Sequence, residues 1–352
     1  MESGFFLGAN SKHGFYSLYD HLIDLEKAKC VYIIKGSPGC GKSSFMRRIK
    51  DKVSKKYAVE QIFCSSDPDS LDGIIIHGLN IAFVDGTAPH VVEPKFPIAV
   101  EQYINLGDFA DSAALYQEKH TIIDITTKYK TGYERIYNFL SVAGAIESEI
   151  FDIALNSFDV SRLKKKAQGI IYRELQNEGS GGEAKKRFLS AISSKGCFTN
   201  FDTVTDMAET VYVLEDSFGL GMFLLKPIAD AVSDAKFDAY LAYSPLTPTR
   251  LEHIIIPELK LAFVTSKKSD PYIGEYKRKI RIDAMINPDI LREKKKKLSF
   301  SRKLLNATVS EACSALYEGK IMHDKIESLY NPHIDFDKVY NLADKIADDI
   351  LK

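Results

Sequence analysis

The sequence predicts an α/β fold made of two tandem units, each a mainly parallel sheet flanked by helices and followed by a helical appendage. Two observations carry this prediction. A short apolar run, Val31 to Ile34, leads through a glycine-rich stretch into a helical pattern, and the apolar skeleton around it recurs 180 residues later in a chain of 352 residues. Strand, glycine turn and helix together form the unit from which parallel α/β sheets are built.

The duplication extends over most of the chain. With an offset of 180 residues, Val31 and Tyr32 align with Val211 and Tyr212 without gaps. Further identical pairs are Leu71 with Leu251, Ile74 to Ile76 with Ile254 to Ile256, Leu79 with Leu259, and Ala82 to Val84 with Ala262 to Val264. Agreement at this many apolar positions indicates a duplicated structural unit.

The glycine-rich stretch matches the phosphate-binding loop pattern G-x-x-x-x-G-K-[ST], known as Walker A. Its glycines let backbone N–H groups approach phosphate oxygens, and the following helix directs the positive end of its dipole at the anion. Lys42 is expected to neutralise the outer phosphates and Ser43 to offer its hydroxyl to Mg²⁺. Cys40 is interpreted as a small filler of the loop, with a reactive thiol as the alternative. The residues predicted to bind the nucleotide are Gly36, Ser37, Pro38, Gly39, Cys40, Gly41, Lys42, Ser43 and Ser44.

An acid follows the next apolar strand of the first unit. Asp85 ends the run Ile81 to Val84 and is predicted to bind Mg²⁺ directly or through water. No Glu follows it, so the group that activates water or accepts a proton stays open. Asp67 and Asp69 are candidates because ligands of open sheets lie beyond the carboxyl ends of strands, although both acids could instead cap a turn. His90 is a weaker candidate. The predicted catalytic residues are Lys42, Asp67, Asp69 and Asp85.

The second unit keeps the apolar skeleton but loses the polar groups. The exchanges at the loop and metal positions are Gly36 to Asp216, Lys42 to Met222, Ser43 to Phe223 and Asp85 to Thr265. A carboxylate facing a polyphosphate repels it by about 4 kcal/mol at an effective dielectric constant of about 20. Surface drift is the competing explanation, but it would not concentrate at the cation and metal positions. We therefore predict one active site, in the first unit, and a degenerate second unit.

Three stretches together carry a family resemblance: Lys35 to Ser43, Cys64 to Gly73 and Asp85 to His90. They resemble a group of duplicated bacterial P-loop ATPase-like proteins. The resemblance covers nearly the whole chain, and the motifs CSSDPDSLDG and DGTAPH are long enough to be specific. It implies a cytoplasmic ATP-binding protein made of two P-loop NTPase units, and it supplies no substrate. The base-specifying N-K-x-D pattern of GTP-binding proteins is missing after Asp85, which favours ATP.

Composition and charge limit the classes of binding partner. The chain is 45% hydrophobic and 27% charged, as is ordinary for a globular protein. A net charge of −1 gives no general attraction to nucleic acid or to a membrane surface. The basic runs Arg162 to Lys166 and Lys294 to Lys297 are interpreted as solvated helix faces, because no aromatic-rich pattern accompanies them. Five cysteines without paired metal-type spacing, and no apolar run of membrane-spanning length, predict a cytoplasmic location.

The two units are predicted over residues 1–178 and 183–352, with helical appendages at about 108–176 and 289–351. A helix is also expected near residues 16–27. The halves are expected to pack as a pseudo-symmetric pair. The function stays open among a MgATP-dependent ATPase or switch, a phosphotransferase acting on a small molecule, and a nucleotide-sensing interaction module with little turnover. The partner, a protein or a small molecule, is not specified by the sequence.

Overall fold

Two six-stranded mixed sheets with the same strand topology form the centre of the protein. The computed structural model describes residues 2–89 and 91–352, so the candidate His90 lies outside the described residues. Helices flank both sheets. The α/β class and the pair of similar units predicted from the sequence are therefore confirmed.

The strands of the first unit are β1 (Glu2–Phe5), β2 (Gly8–Ser11), β3 (Gly14–Ser17), β4 (Cys30–Lys35), β5 (Val59–Phe63), β6 (Leu71–Ile76), β7 (Ile81–Asp85) and β8 (Glu101–Asn105). Its helices are α1 (Lys42–Val53), α2 (Ser112–Gln117), α3 (Lys119–Leu155) and α4 (Val160–Glu174). The strands of the second unit are β9 (Ala184–Arg187), β10 (Ser190–Ser193), β11 (Gly196–Thr199), β12 (Thr210–Glu215), β13 (Ala239–Tyr243), β14 (Leu251–Ile256), β15 (Leu261–Ser266) and β16 (Arg278–Arg281). Its helices are α5 (Asp202–Met207), α6 (Met222–Asp234), α7 (Pro288–Glu293), α8 (Lys295–Tyr330) and α9 (Phe336–Leu351).

The order of the strands repeats between the sheets. The first sheet runs β1-β5-β6-β7-β4-β8, and the second runs β9-β13-β14-β15-β12-β16. The strand before each glycine-rich loop, β4 or β12, has a parallel neighbour on both sides. β6 and β14 run antiparallel to both of their neighbours. Since β4 and β7 are adjacent and parallel, their carboxyl ends meet at one edge of the first sheet.

The helix expected near residues 16–27 is wrong. β2 and β3 form an antiparallel hairpin, and the Ser11 hydroxyl closes its turn by donating to the Gly14 carbonyl at 2.8 Å. Extended backbone therefore continues to Ser17, and only a short 3₁₀ turn, Tyr19–His21, follows it. Strands of four residues are too short for apolar alternation to reveal them in the sequence.

The last helix of each unit packs on the other unit. α9 lies against α1, and α4 lies against α6. On the first unit, Val339 and Ala343 of α9 share a buried cluster with Phe45 of α1. Arg48 of α1 forms a bidentate ion pair with Asp344, with Nε–Oδ1 and Nη2–Oδ2 distances of 2.7 Å. Each glycine-rich loop is therefore followed by a helix that the opposite half of the chain covers.

The long helices α3 and α8 run antiparallel along one another. Arg135 Nη1 donates to Glu318 Oε2 at 3.2 Å, and Lys297 pairs with Glu149 at 2.8 Å farther along the helices. Ile136, Leu140, Ala312 and Leu316 belong to one buried cluster between them. This pairing ties the helical segments of the two units together.

An apolar core also joins the two sheets. Phe6 and Phe188 exchange backbone N–H···O bonds of 2.9 Å in both directions, and Phe5 stacks on Tyr240 with ring centroids 4.7 Å apart. All four side chains lie in one buried cluster. Phe6 and Phe188 each lie two residues before the matching strands β2 and β10, so this contact is a pseudo-two-fold one.

A buried ion pair crosses this interface. Arg187 Nε donates to Glu60 Oε1 at 2.6 Å, and the Tyr240 hydroxyl donates to Glu60 Oε2 at 3.1 Å. Both side chains of the pair are at most 1% exposed. Burial opposes ionisation of Glu60, but Arg187 and His77 outweigh it and lower the pKa of that carboxyl to about 2. Because this lies below the pKa of 4.5 for an unperturbed Glu, the pair stabilises the fold fully above about pH 5 and loses that effect as the pH falls toward 2.

Glu60→Gln is expected to lower the free energy of unfolding at pH 7 by about 3–5 kcal/mol, because it leaves Arg187 buried without a counter-charge. The variant also loses the part of the pH dependence of unfolding that comes from Glu60. The difference between the two pKa values corresponds to about 3 kcal/mol. Urea unfolding at pH 7 and pH 3 measures both effects. We expect the difference in free energy of unfolding between variant and wild type to be smaller at pH 3. Asp20→Asn, which breaks the exposed Asp20–Lys95 pair, is the control and should cost less than about 1 kcal/mol. Equal stability of Glu60→Gln and wild type at pH 7 would contradict this assignment.

Candidate functional site

The glycine-rich loop, residues 36–41, connects β4 to α1. Gly39 and Gly41 have φ angles of 74° and 86°, a left-handed conformation that side chains with a Cβ rarely adopt. Cys40 is fully buried beneath the loop, and a Cβ on Gly36 would lie 2.5 Å from its sulfur. Burial raises the pKa of the Cys40 thiol, which agrees with the filler interpretation. The loop is therefore tight, and its curvature depends on glycine.

Lys42 and Asp85 lie together at the base of this loop. The Lys42 ammonium donates to the carbonyls of Gly36 at 3.2 Å and Ser37 at 3.0 Å, and it lies 3.7 Å from Asp85 Oδ2. The other carboxylate oxygen of Asp85 accepts from the Thr87 N–H at 2.8 Å and from the Thr87 hydroxyl at 2.6 Å. Both charged side chains are only 11–12% exposed, so their attraction is little screened by water.

The two serines after Lys42 occupy the first turn of α1. Ser43 Oγ accepts a hydrogen bond from the Leu71 N–H at 2.9 Å, which ties the start of α1 to the start of β6. Ser44 is exposed. Of the two predicted metal ligands, Asp85 lies beside the Lys42 ammonium. The Ser43 hydroxyl is hydrogen-bonded to the backbone of β6.

The structure separates the two candidate bases. Asp67 Oδ2 lies 3.4 Å from the Lys320 ammonium, whereas its Oδ1 is buried and has no partner among the described residues. Burial disfavours the Lys320 ammonium, but Asp324 and Asp67 outweigh it and raise the pKa of Lys320. Asp69 is exposed and pairs with Lys195 at 2.5 Å, which lowers the pKa of Asp69. Of these two acids, Asp67 therefore offers a buried oxygen atom that is unpaired among the described residues.

Residues of the second unit cover the loop, and sequence reasoning did not identify them. The Gly39 N–H donates to Glu327 Oε1 of α8 at 3.2 Å. A Cβ on Gly39 would lie 3.0 Å from the Glu327 backbone and 2.5 Å from Asn331 Oδ1. A Cβ on Gly41 would lie 3.2 Å from the Phe336 ring. The end of α8 and the start of α9 thus form a roof over the loop of the first unit.

The roof differs between the two units. Counted from the first residues of α3 and α8, Lys119 and Lys295, Glu327 corresponds to Phe151. Over the second unit, Phe151 of the first-unit helix α3 stacks on Phe223 with ring centroids 6.4 Å apart. At this one position the roof is therefore polar over the intact loop and apolar over the degenerate one. Aligning the helical segments with each other would have revealed this difference in the sequence.

The second loop contains a carboxylate of its own. Asp216 Oδ1 accepts from the N–H groups of Phe218, Gly219 and Leu220 at 2.9–3.1 Å, and Oδ2 accepts from Gly221 at 2.6 Å. Burial raises the pKa of Asp216, and these N–H donors oppose the rise. The donors that an external anion would need are therefore already used by a side chain of the loop.

Another group of potential metal ligands lies on α8. The ligand atoms of His323, Asp324 and Glu327 lie within 4.8 Å of one another. Glu327 also contacts the loop, and Asp324 pairs with Lys320 at 2.9 Å. This group therefore belongs to the polar roof of the same site.

Comparisons with protein families, with curated proteins and with solved structures found no match for this chain. The resemblance to duplicated P-loop ATPase-like proteins therefore stays a prediction from the three sequence stretches. Across residues 2–89 and 91–352, the structure has no helix with the length and apolarity needed to cross a bilayer.

Proposed function

We propose that the protein is a MgATP-dependent P-loop switch with one nucleotide site, in the first unit, and a degenerate second unit that roofs it. The observation that carries the proposal is the contact of Lys42 with Asp85 beneath a glycine loop, at positions where the second unit has Met222 and Thr265. An ammonium and a carboxylate at the ends of adjacent parallel strands suit the phosphates and the Mg²⁺ of a nucleotide.

Each polar group of the site has a part in this proposal. Lys42 would leave the loop carbonyls for the outer phosphates, and Asp85 and Ser43 would hold Mg²⁺. Ser37 Oγ and Asp67 Oδ1 are buried without partners among the described residues. Because buried polar atoms are nearly always hydrogen-bonded in native proteins, Ser37 Oγ supports a polar ligand at this loop, and Asp67 Oδ1 supports a polar contact in the turn between β5 and β6.

The roof favours a switch over a fast ATPase. Glu327 holds the Gly39 N–H, a donor of the kind that binds phosphate oxygens in such loops. Two anions cannot share that donor, so an incoming phosphate displaces Glu327 and with it the end of α8. Since α8 is paired along α3, nucleotide binding would move the helical pair that links the units.

One observation keeps phosphotransfer as a second candidate. Asp67 has a buried carboxylate oxygen without a partner among the described residues, as a base that accepts the proton of an acceptor hydroxyl would need. Release of phosphate from ATP without an added acceptor supports the ATPase or switch. Turnover only with an acceptor supports the kinase.

Calorimetric titration of the full chain with MgATP tests the proposal. We expect a single site, because the second unit has Met222 in place of Lys42 and Asp216 already uses the N–H groups of its loop. Asp85→Asn should weaken Mg²⁺-dependent affinity about tenfold or more, because it removes the charged ligand, whereas the matched change Thr265→Asn should alter affinity less than about twofold. Two equivalent sites, no binding, or equal losses in both variants would overturn it.

Glu327→Gln is expected to raise affinity for MgATP about three- to tenfold, because it removes a carboxylate that competes with phosphate for the Gly39 N–H. Glu318→Gln, a change on the exposed part of the same helix, is the control and should leave affinity unchanged. The same titration measures both variants. Unchanged or weaker binding in Glu327→Gln would show that Glu327 does not compete with phosphate.

A further inference from the structure

We propose that the second unit has a separate binding site for a small aromatic amine, in a cavity between the β10–β11 hairpin, the end of β15 and α8. The cavity has a volume of about 420 Å³, within the range of ligand sites in proteins. It lies at the carboxyl ends of β13 and β15, the edge of an α/β sheet where ligands bind. This inference does not depend on nucleotide binding by the first unit.

The cavity exists because three aromatic rings are missing from α8. In the first unit, Tyr129, Tyr133 and Tyr137 form a column, with successive ring centroids 5.3 and 6.0 Å apart. The corresponding residues of α8, counted from the starts of α3 and α8, are Leu305, Val309 and Cys313, and all three line the cavity.

A second pair of corresponding residues supports this equivalence. The Tyr137 hydroxyl donates to Asn10 Oδ1 of β2 at 3.4 Å. Ile192, at the same position of β10, lines the cavity. The space therefore corresponds to the tyrosine column of the first unit and is wide enough for an aromatic ring.

The charges of the lining favour a cation. Glu147, Glu252 and Asp270 line the cavity together with a single ammonium, that of Lys267. Glu252 is paired with Lys267 at 2.7 Å, and Glu147 with Arg250 at 2.5 Å. Asp270 accepts from the Thr199 hydroxyl at 2.6 Å and has no ion-pair partner in the described part of the chain. Its carboxylate is therefore the group that would bind an ammonium.

A buried histidine adds a polar group to the wall. His253 lines the cavity and is 1% exposed, and its Nδ1 accepts from the Thr265 N–H at 3.2 Å. Nε2 therefore carries the ring proton, and it has no partner among the residues described. Burial lowers the pKa of His253 to about 4, so the ring is neutral at pH 7 and does not repel a cation.

The test uses the full chain and three probes of similar shape: 2-phenylethylamine, 2-phenylethanol and 3-phenylpropionate. We expect saturable binding of the amine by calorimetry, at least tenfold weaker binding of the alcohol, and no binding of the acid. Asp270→Asn should weaken amine binding at least tenfold, whereas Asp289→Asn, an exposed change on α7, should not. Val309→Tyr restores the ring present in the first unit and should abolish binding.

A second readout covers the case in which Val309→Tyr fails to fold. Cys313 lines the cavity, so bound amine should slow its alkylation by iodoacetamide in the wild-type chain, measured by mass spectrometry. The proposal is overturned by failure of the amine to bind, by preference for the acid, by binding that survives Asp270→Asn or a folded Val309→Tyr, or by unchanged alkylation at saturating amine.

Discussion

Lys42→Ala is expected to lower affinity for MgATP by more than about a hundredfold. The Lys42 ammonium contacts two loop carbonyls and Asp85. A rotation of its side chain would bring it to a phosphate bound at the loop. A hydrogen bond between charged groups contributes about 1.5–3 kcal/mol, and each 1.4 kcal/mol is about tenfold in affinity. Loss of such bonds to the outer phosphates therefore removes measurable binding. Titration calorimetry of the full chain measures the change.

Met222→Ala is the matched control, since Met222 has the same position at the start of α6. It should leave affinity within about twofold of wild type, because Asp216 already uses the N–H groups of that loop. Circular dichroism and the melting temperature establish that Lys42→Ala is folded. A folded Lys42→Ala variant with normal affinity, or a loss in Met222→Ala, would refute the one-site assignment.

Much of the fold could be predicted from the sequence because each unit contains short apolar runs. In the structure these runs are buried strands of the sheets. Ile74 to Ile76 and Ile254 to Ile256 are the apolar halves of β6 and β14, two buried strands in the middle of the sheets. Their identity at equal spacing also predicted the shared topology. The β2–β3 hairpin was missed because it depends on a turn and on contacts across the interface, neither of which gives a periodic signal.

The candidate site was predictable only where neighbouring segments build it. Lys42 and Asp85 follow adjacent parallel strands, so the expectation that strand ends meet at one edge suffices to place them together. From α8, Glu327 reaches the glycine-rich loop and Lys320 reaches Asp67. Both lie hundreds of residues away in the sequence, because the helices of the two units are exchanged. No local pattern encodes such an exchange. The sequence also could not distinguish Asp67 from Asp69 as the candidate base. The two residues are only two positions apart, and the sequence does not show which side chain is buried.

The same exchange leads to the expectation that residues 1–178 do not fold when expressed alone. Phe45, Met46 and Ile49 of α1 are fully buried in a cluster that includes side chains of α9. Exposing three such side chains costs about 1.5–3 kcal/mol each. Glu60 would lose Arg187, a further cost of about 3–5 kcal/mol for breaking a buried pair. Together these losses reach about 10 kcal/mol, comparable to the whole stability of a typical domain.

A cut between the units provides the control for this prediction. Residues 1–178 and 183–352, expressed together as two chains, keep every contact between the helices and sheets described above and lose only the linker. We expect the two chains to purify as a one-to-one complex that melts cooperatively and, if the proposed function holds, to bind MgATP like the intact protein. Each chain alone should show weak helical circular dichroism and no cooperative melting. If residues 1–178 alone melted cooperatively at the temperature of the full chain, the exchanged helices would not be needed for the first unit to fold.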